Sequence, residues 1–323
     1  MDKIAKTSTA ERLKLFQDAS NAIGIPVAMV EKDFWVCWLL SKIFADVELS
    51  EILRFKGGTS LSKAYNLIER FSEDLDIILD KSRVLGDEGL FKPSYKKQRE
   101  FADEISEHTA IYINTTLKDK IAAVLGDVAQ VRADGQNLLV TYPRASADEY
   151  LRPDILLEIG IMSAWIPNEP REILPYIADI YPQLEIASAV VPTIKATRTF
   201  WDKATILHRE SHRPDGTRTP ARYSRHYYDL YRMANSNVKS EALADYKLLA
   251  DVVDRKDKLY HCAWAKYGDC AVGRMRLLPN DNNKDLLKKD YAAMRGMIFG
   301  DIPEWEEILD GLKKLEDEIN KGS

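Results

Sequence analysis

The sequence predicts an α+β protein: a small mixed sheet with flanking helices in the first half, followed by a mainly helical C-terminal part. Two patterns lead there. Short runs of β-branched and other apolar residues stand between turn signals up to about residue 161, while apolar residues recur at three- and four-residue spacing beyond residue 193. A length of 323 residues with 45% apolar and 30% charged residues is enough to bury a large core.

In chain order, residues 9–22 and 28–44 read as helices. Ile52–Phe55 reads as a short strand that runs into Gly57-Gly58-Thr59-Ser60, and Leu61–Arg70 as the next helix. Leu75–Leu79 is strand-like, with Asp74 and Asp76 at its start. Residues 93–124 form a long helical excursion; Asn137–Tyr142 and Ile155–Ile161 are strands; the proline-containing stretch 166–192 is loop with short extended pieces. An amphipathic acidic helix at 303–320 closes the chain, its last 24 residues carrying eight acidic and three basic side chains. Two domains are expected, 1–190 and 191–323, the second completing an active-site cleft.

Composition excludes several classes. A formal charge of −5 argues against a general nucleic-acid-coating protein. No run of about 18 uncharged apolar residues is present, and the first residues lack an apolar signal core, so a cytoplasmic protein with no membrane partner is expected. Cys37, Cys262 and Cys270 are widely spaced, which argues against disulfides or a cysteine-based zinc site.

The chemistry concentrates in KGGTSLSKAY (56–65) and RFSEDLDIIL (70–79). Gly57 and Gly58 after a strand let the backbone turn tightly and present N–H groups to an anion, with hydroxyls from Thr59 and Ser60 beside them. A Gly-Gly pair alone is ordinary turn chemistry. Asp74 and Asp76, two apart on a strand, project from one face, where mutual repulsion is relieved by a cation; the pairing suits Mg²⁺, which takes one or two carboxylates plus substrate phosphates. Glu158, inside the apolar run PDILLEIGI, is a third carboxylate and is preferred to Asp154, because a buried Glu needs a metal or basic partner. Ser72 is placed to touch nucleotide or, as readily, to cap the strand start. This set points to metal-assisted nucleotidyl transfer.

GG[ST] followed by DxD resembles the DNA polymerase β type nucleotidyltransferase superfamily. The longer string KGGTSLSKAYNLIERFSEDLDI resembles the AbiEii/AbiGii-type nucleotidyltransferase toxins, and the likeness continues in TFWDKATILHRE (199–210), RHYYDLYRM (225–233) and KKDYAAMRGMIFGD (288–301). It covers most of the chain, from EKDFW at 31–35 onward. The resemblance implies a polymerase β-like core, an NTP substrate, Mg²⁺ (or Mn²⁺) as cofactor, a toxin role in toxin–antitoxin or phage-exclusion pairs, and a cognate antitoxin. It also implies a transfer RNA acceptor, as for MenT-like proteins. By motif, Gly57, Gly58, Thr59, Ser60 and Lys63 would bind nucleotide, Asp74 and Asp76 would hold metal, and Lys203 and Asp229 would be catalytic. Glu158 is the least rigid match.

The residues around Lys203 and Asp229 carry their own reading. Trp201, Ile206 and Leu207 form an apolar stripe with Lys203 off it, as for an ammonium that neutralises triphosphate charge. Asp229 among Tyr227, Tyr228 and Tyr231 is sheltered and could orient Lys203; the plain alternative is a helix–helix salt bridge. Residues 193–232 hold nine basic against four acidic residues, a local +5 that leaves −10 elsewhere. With interleaved tyrosines that segment suits RNA, unless its arginines pair internally. His208 and His212 have zinc-compatible spacing but lack further ligands, which leaves solvated or RNA-facing histidines. Two other readings stand beside RNA nucleotidyl transfer: the same chemistry on a protein or small-molecule acceptor, and a non-catalytic nucleotide- or RNA-binding module.

Overall fold

A computed structural model describes residues 1–147 and 151–322. The chain divides into two compact units: Met1–Tyr65, Phe71–Leu90 and Glu100–Ile194 form the first, and Asn66–Arg70, Phe91–Arg99 and Lys195–Ser323 the second. No helix among the described residues is long and apolar enough to cross a membrane.

The first unit carries one seven-stranded mixed sheet. Its strands are β1 (Leu53–Lys56), β2 (Asp74–Leu79), β3 (Gln130–Asp134), β4 (Asn137–Thr141), β5 (Asp154–Gly160), β6 (Asn168–Ile173) and β7 (Ala189–Ile194), in the order β3-β4-β5-β2-β1-β7-β6. β2 pairs antiparallel with β1 and parallel with β5, so the two strands with the chemistry lie side by side at the centre. Leu75, Ile77 and Leu79 turn one face of β2 into the core, which leaves Asp74 and Asp76 on the other. β6 and most of β7 fall within the stretch 166–192, expected from sequence to be loop with short extended pieces, and form regular paired strands. Pro170 and Pro192 sit opposite one another where β6 and β7 pair, which masks the strand signal.

Helices α1 (Thr9–Ile23) and α2 (Val27–Ala45) pack together through Phe16 and Phe34, whose ring centroids are 5.5 Å apart. α2 is apolar nearly all round and buried, yet it carries Glu31, Lys32 and Asp33 at 1–4% exposure. Each charge has a partner. Glu31 accepts from the Ala145 and Ser146 amides at 2.6 and 2.7 Å, Lys32 donates to Glu73 at 3.1 Å, and Asp33 binds Lys63 at 2.7 Å. Through Lys32 and Asp33, α2 fixes the residue before Asp74 and the end of the helix that follows Gly57. That helix, α3 (Gly57–Lys63), begins at the glycines and stops well short of Arg70, unlike the expected Leu61–Arg70 helix. Residues 66–70 leave it to join the second unit, where Arg70 forms a β-bridge with Ile298.

Helix α4 (Tyr95–Tyr112) runs on through a π-helical turn (Ile113–Leu117) into α5 (Lys118–Leu125), which matches the long helical excursion. The second unit is helical: α6 (Ala196–Ser211), α7 (Ser224–Ala234), α8 (Tyr246–Leu259), α9 (Asp281–Met294) and α10 (Trp305–Lys321). Its core includes Trp201, Tyr227, Tyr228, Leu230 and Leu312 at zero exposure.

Candidate active site

In the first unit the functional side chains form a row across adjacent strands. Asp76 lies opposite Lys56 on β1 and Glu158 on β5, and Glu158 in turn lies opposite Asn137 on β4. Asp74 is two residues upstream on the same face, paired with Leu156. The Lys56 ammonium stands 3.7 Å from Asp76 Oδ1, a half-exposed pair that holds the carboxylate against β1.

The glycines explain themselves by geometry. Gly57 has φ +79°, a left-handed conformation that disfavours any side chain, and a Cβ there would sit 1.8 Å from Asp76 Oδ2. The Asp76 carboxylate therefore occupies space that only glycine leaves open. Thr59 Oγ1 donates to the Asp74 carbonyl at 2.6 Å and Ser60 Oγ to the Gly57 carbonyl at 2.8 Å. These hydroxyls lock the turn to the start of β2, with Thr59 and Ser60 themselves buried. The Lys63 ammonium is also buried, against Asp33 and 3.9 Å above the Tyr176 ring. Its contacts clamp the helix end to α2 rather than joining the hydroxyls of the turn. Ser72 is half-buried two residues before Asp74.

Glu158 is exposed, which corrects the expectation that it needs a buried partner: its apolar neighbours Leu157 and Ile159 point to the opposite face of β5. Asp154 is the buried carboxylate and is already committed, accepting from Thr141 Oγ1 at 2.5 Å and Arg132 Nη2 at 2.8 Å. Burial alone would raise its carboxyl, but those donors hold it below the usual carboxylate range. Among the described residues no three His, Cys, Asp or Glu side chains are drawn together into a ready metal cluster. The donor set still fits a divalent ion of the kind that takes one or two carboxylates and completes its shell with substrate oxygens: Asp74 and Asp76 share a face, Gly57 clears the space beside them, and Glu158 is the register partner.

The second unit builds a charge cluster around Asp229, a residue of α7 at zero exposure. Arg70 grips it in a two-pronged arrangement, Nε to Oδ1 at 2.6 Å and Nη2 to Oδ2 at 2.8 Å. Lys203 from α6 donates to Oδ2 at 2.7 Å and approaches His226 Nδ1 at 3.1 Å. A lysine ammonium has only donors, so His226 accepts at Nδ1 and is neutral, consistent with burial and the charges of Lys203 and Arg225 pushing its pKa well down. Burial would raise the Asp229 carboxyl, but Arg70 and Lys203 outweigh it and hold it far below the carboxylate range. The Lys203 ammonium is pressed downward by burial, with Arg70 and Arg225 adding to the effect against Asp229. The two directions differ in origin: two cations on one carboxylate hold Asp229 down, while burial is the main cause for Lys203.

Arg70 and Lys56 were not singled out in the sequence. Arg70 lies in the RFSEDLD string, but its partner is 159 residues away. The third resembling motif finds its place here too: Phe299 N donates to the Glu69 carbonyl at 2.7 Å, and a Cβ at Gly300 would come 3.1 Å from the Glu69 carboxylate. GMIFGD thus holds the segment that presents Arg70.

Part of the basic segment is internal, although Lys195, Arg218 and Arg222 are exposed. Arg198 pairs with Asp251, and Arg209 and Arg213 both pair with Glu210. His208 is at zero exposure, its Nδ1 accepting from the Arg276 amide at 3.1 Å and its Nε2 3.2 Å from the Lys266 carbonyl. Burial lowers its pKa to about 4. It is a satisfied core histidine, neither solvated nor RNA-facing, and the zinc reading has no support among the described residues.

A family model described as nucleotidyl transferase AbiEii toxin, type IV TA system, matches residues 38–311. No curated protein matches the chain. Among solved structures it is similar to MenT4, a nucleotidyltransferase toxin of Mycobacterium tuberculosis H37Rv, at 17% identity and a TM-score of 0.42, over 87% of this chain and 99% of that one. With the family match running through β1, β2 and β5 of the sheet and most of the helical unit, the chain belongs to the AbiEii nucleotidyltransferase toxins of type IV toxin–antitoxin systems and is a nucleotidyltransferase.

Proposed function

We propose that the protein transfers a nucleotidyl group from an NTP to a hydroxyl of transfer RNA in the cytoplasm, as a growth-inhibiting or phage-defence toxin restrained by a cognate antitoxin. The observation that carries the chemistry is the placing of Asp74 and Asp76 on one face of β2, with Gly57 stripped of a side chain where Asp76 needs room.

The acceptor oxygen attacks the α-phosphorus, the bond to the β-phosphate oxygen breaks, pyrophosphate leaves, and the hydroxyl proton passes to water. Asp74 and Asp76 would hold Mg²⁺, or Mn²⁺ in its place, with Glu158 as the outer carboxylate. A bound divalent ion supplies charge neutralisation and lowers the pKa of the attacking hydroxyl. Gly57 and Gly58 are assigned to the phosphates, with Thr59 and Ser60 as the residues that set the turn, and Ser72 and Lys63 as its supports. Lys203, oriented by Asp229, is assigned to triphosphate charge.

The test is incubation with α-labelled NTPs and separated RNA, protein and small-molecule fractions. Label in the transfer RNA fraction is expected. Label only in protein or small molecules rejects the RNA acceptor, and NTP binding without transfer to any fraction, with Mg²⁺ or Mn²⁺ present, favours a binding module.

A further inference from the structure

With Arg198, Arg209 and Arg213 of the basic segment paired inside the protein, a second exposed basic surface, this one with aromatic rings, lies elsewhere in the second unit. The segment Phe91–Arg99 has the sequence FKPSYKKQR, with a formal charge of +4 and no acidic residue. It includes the first turn of α4. Phe91 is 46% exposed and Tyr95 is 50% exposed, which is unusual for residues whose burial normally contributes most to a core.

These rings are exposed but not loose. Arg255 and Lys258 of α8 stand 5.6 and 5.2 Å from the Phe91 ring centroid. Tyr95 stacks on His261 at 3.6 Å with an interplanar angle of 10°. Asp257 ties that stack down, accepting from Tyr95 Oη at 3.0 Å and pairing with His261 Nδ1 at 2.8 Å. Two acidic residues of α8 are engaged: Asp257 here, and Asp254 with Lys258 at 2.7 Å. A merely solvated charged face has no need of two aromatic rings in the open, one tied down by a hydrogen bond and a ring stack and the other flanked by cations. Rigid rings among cations are what unpaired nucleotides require, each base stacking on a π-face while its phosphate meets a Lys or Arg. Ordering the rings beforehand lowers the entropy lost on binding.

We propose that the face formed by Phe91–Arg99 and α8 is an RNA-docking surface that receives single-stranded nucleotides of the acceptor. This rests on the reading of RNA as the acceptor. An acidic protein partner would also be drawn to the charge, but it would not call for stacked, fixed aromatics.

The test uses the full chain. Binding of total transfer RNA is measured by fluorescence anisotropy over a range of salt for wild type, Tyr95→Ala, Lys97→Ala/Arg99→Ala, and a charge-matched control, Lys6→Ala/Lys14→Ala. The double variant removes two exposed cations, so the slope of log affinity against log salt should shrink by about 1.4. Tyr95→Ala should weaken binding about tenfold with little change in slope. The control should behave as wild type, and affinity for NTP alone should be unchanged throughout. Equal RNA affinity and slope in all four proteins overturns the surface, as does unchanged RNA binding with loss of binding to a protein partner. Wild type that labels RNA while the surface variants label it equally well overturns the surface alone. Wild type that labels no RNA overturns the acceptor reading, and the surface falls with it.

Discussion

Asp229→Asn should destabilise the second unit far more than loss of one hydrogen bond. Asp229 binds both Arg70 and Lys203, through contacts of 2.6, 2.8 and 2.7 Å, and all three residues are buried. Asparagine keeps one acceptor oxygen but removes the charge, which takes from two buried cations the carboxylate they share. Breaking a buried ion pair from one side costs about 3–5 kcal/mol. Lys203→Met leaves the two-pronged Arg70–Asp229 pair intact, so it should cost about 1 kcal/mol or less. The order of the two variants thus follows from whether Asp229 keeps its charge. Urea denaturation, with amide hydrogen exchange in α6 and α7, measures both. The folded-state carboxyl pKa of Asp229 is depressed, so its contribution is present above the unfolded value of about 4 and is lost as pH falls below it. The gap between wild type and Asp229→Asn should therefore persist at pH 5–8 and close in acid. Equal stability of Asp229→Asn and wild type at pH 7, or a greater loss for Lys203→Met, would refute the reading of Asp229 as the shared counter-ion of the cluster.

Gly57→Ala should cut nucleotidyl transfer by about a hundredfold, because the new Cβ evicts the Asp76 carboxylate; transfer assays on the folded variant check it. His226→Phe should raise the KM for NTP by removing the acceptor that steadies Lys203, while His226→Asn, which restores an acceptor, should recover most of the loss. His208 has its pKa lowered from 6.5 to about 4, so the stability it contributes is present above about pH 6.5 and declines toward pH 4 by on the order of 3 kcal/mol. Denaturation midpoints of His208→Gln should be flatter across that range. Lys63→Met, which strands Asp33 in the interior, should lower stability by about 3 kcal/mol by urea titration.

What the sequence revealed follows the range of the interactions. The β1–Gly57–β2 arrangement was readable because its signals are local: a strand, two glycines and two carboxylates at i and i+2. Which side of a strand a residue takes is less local. Glu158 was read as buried from Leu157 and Ile159, yet those neighbours belong to the other face. Arg70 carries no local signal, because its role depends on Asp229, 159 residues along the chain. Lys63 sits in the right motif but points to Asp33 on α2, a pairing no spacing rule suggests. The arginines near Lys203 looked like an RNA face in one dimension. Glu210 and Asp251 claim several of them in three.

The central claim is that the β2 carboxylates carry out nucleotidyl transfer. Its most direct test is single-turnover transfer from an α-labelled NTP to transfer RNA by Asp74→Asn and Asp76→Asn proteins of wild-type stability. The account predicts at least a thousandfold loss in each, with NTP binding in the absence of divalent metal retained. Transfer at the wild-type rate by either folded variant would contradict it.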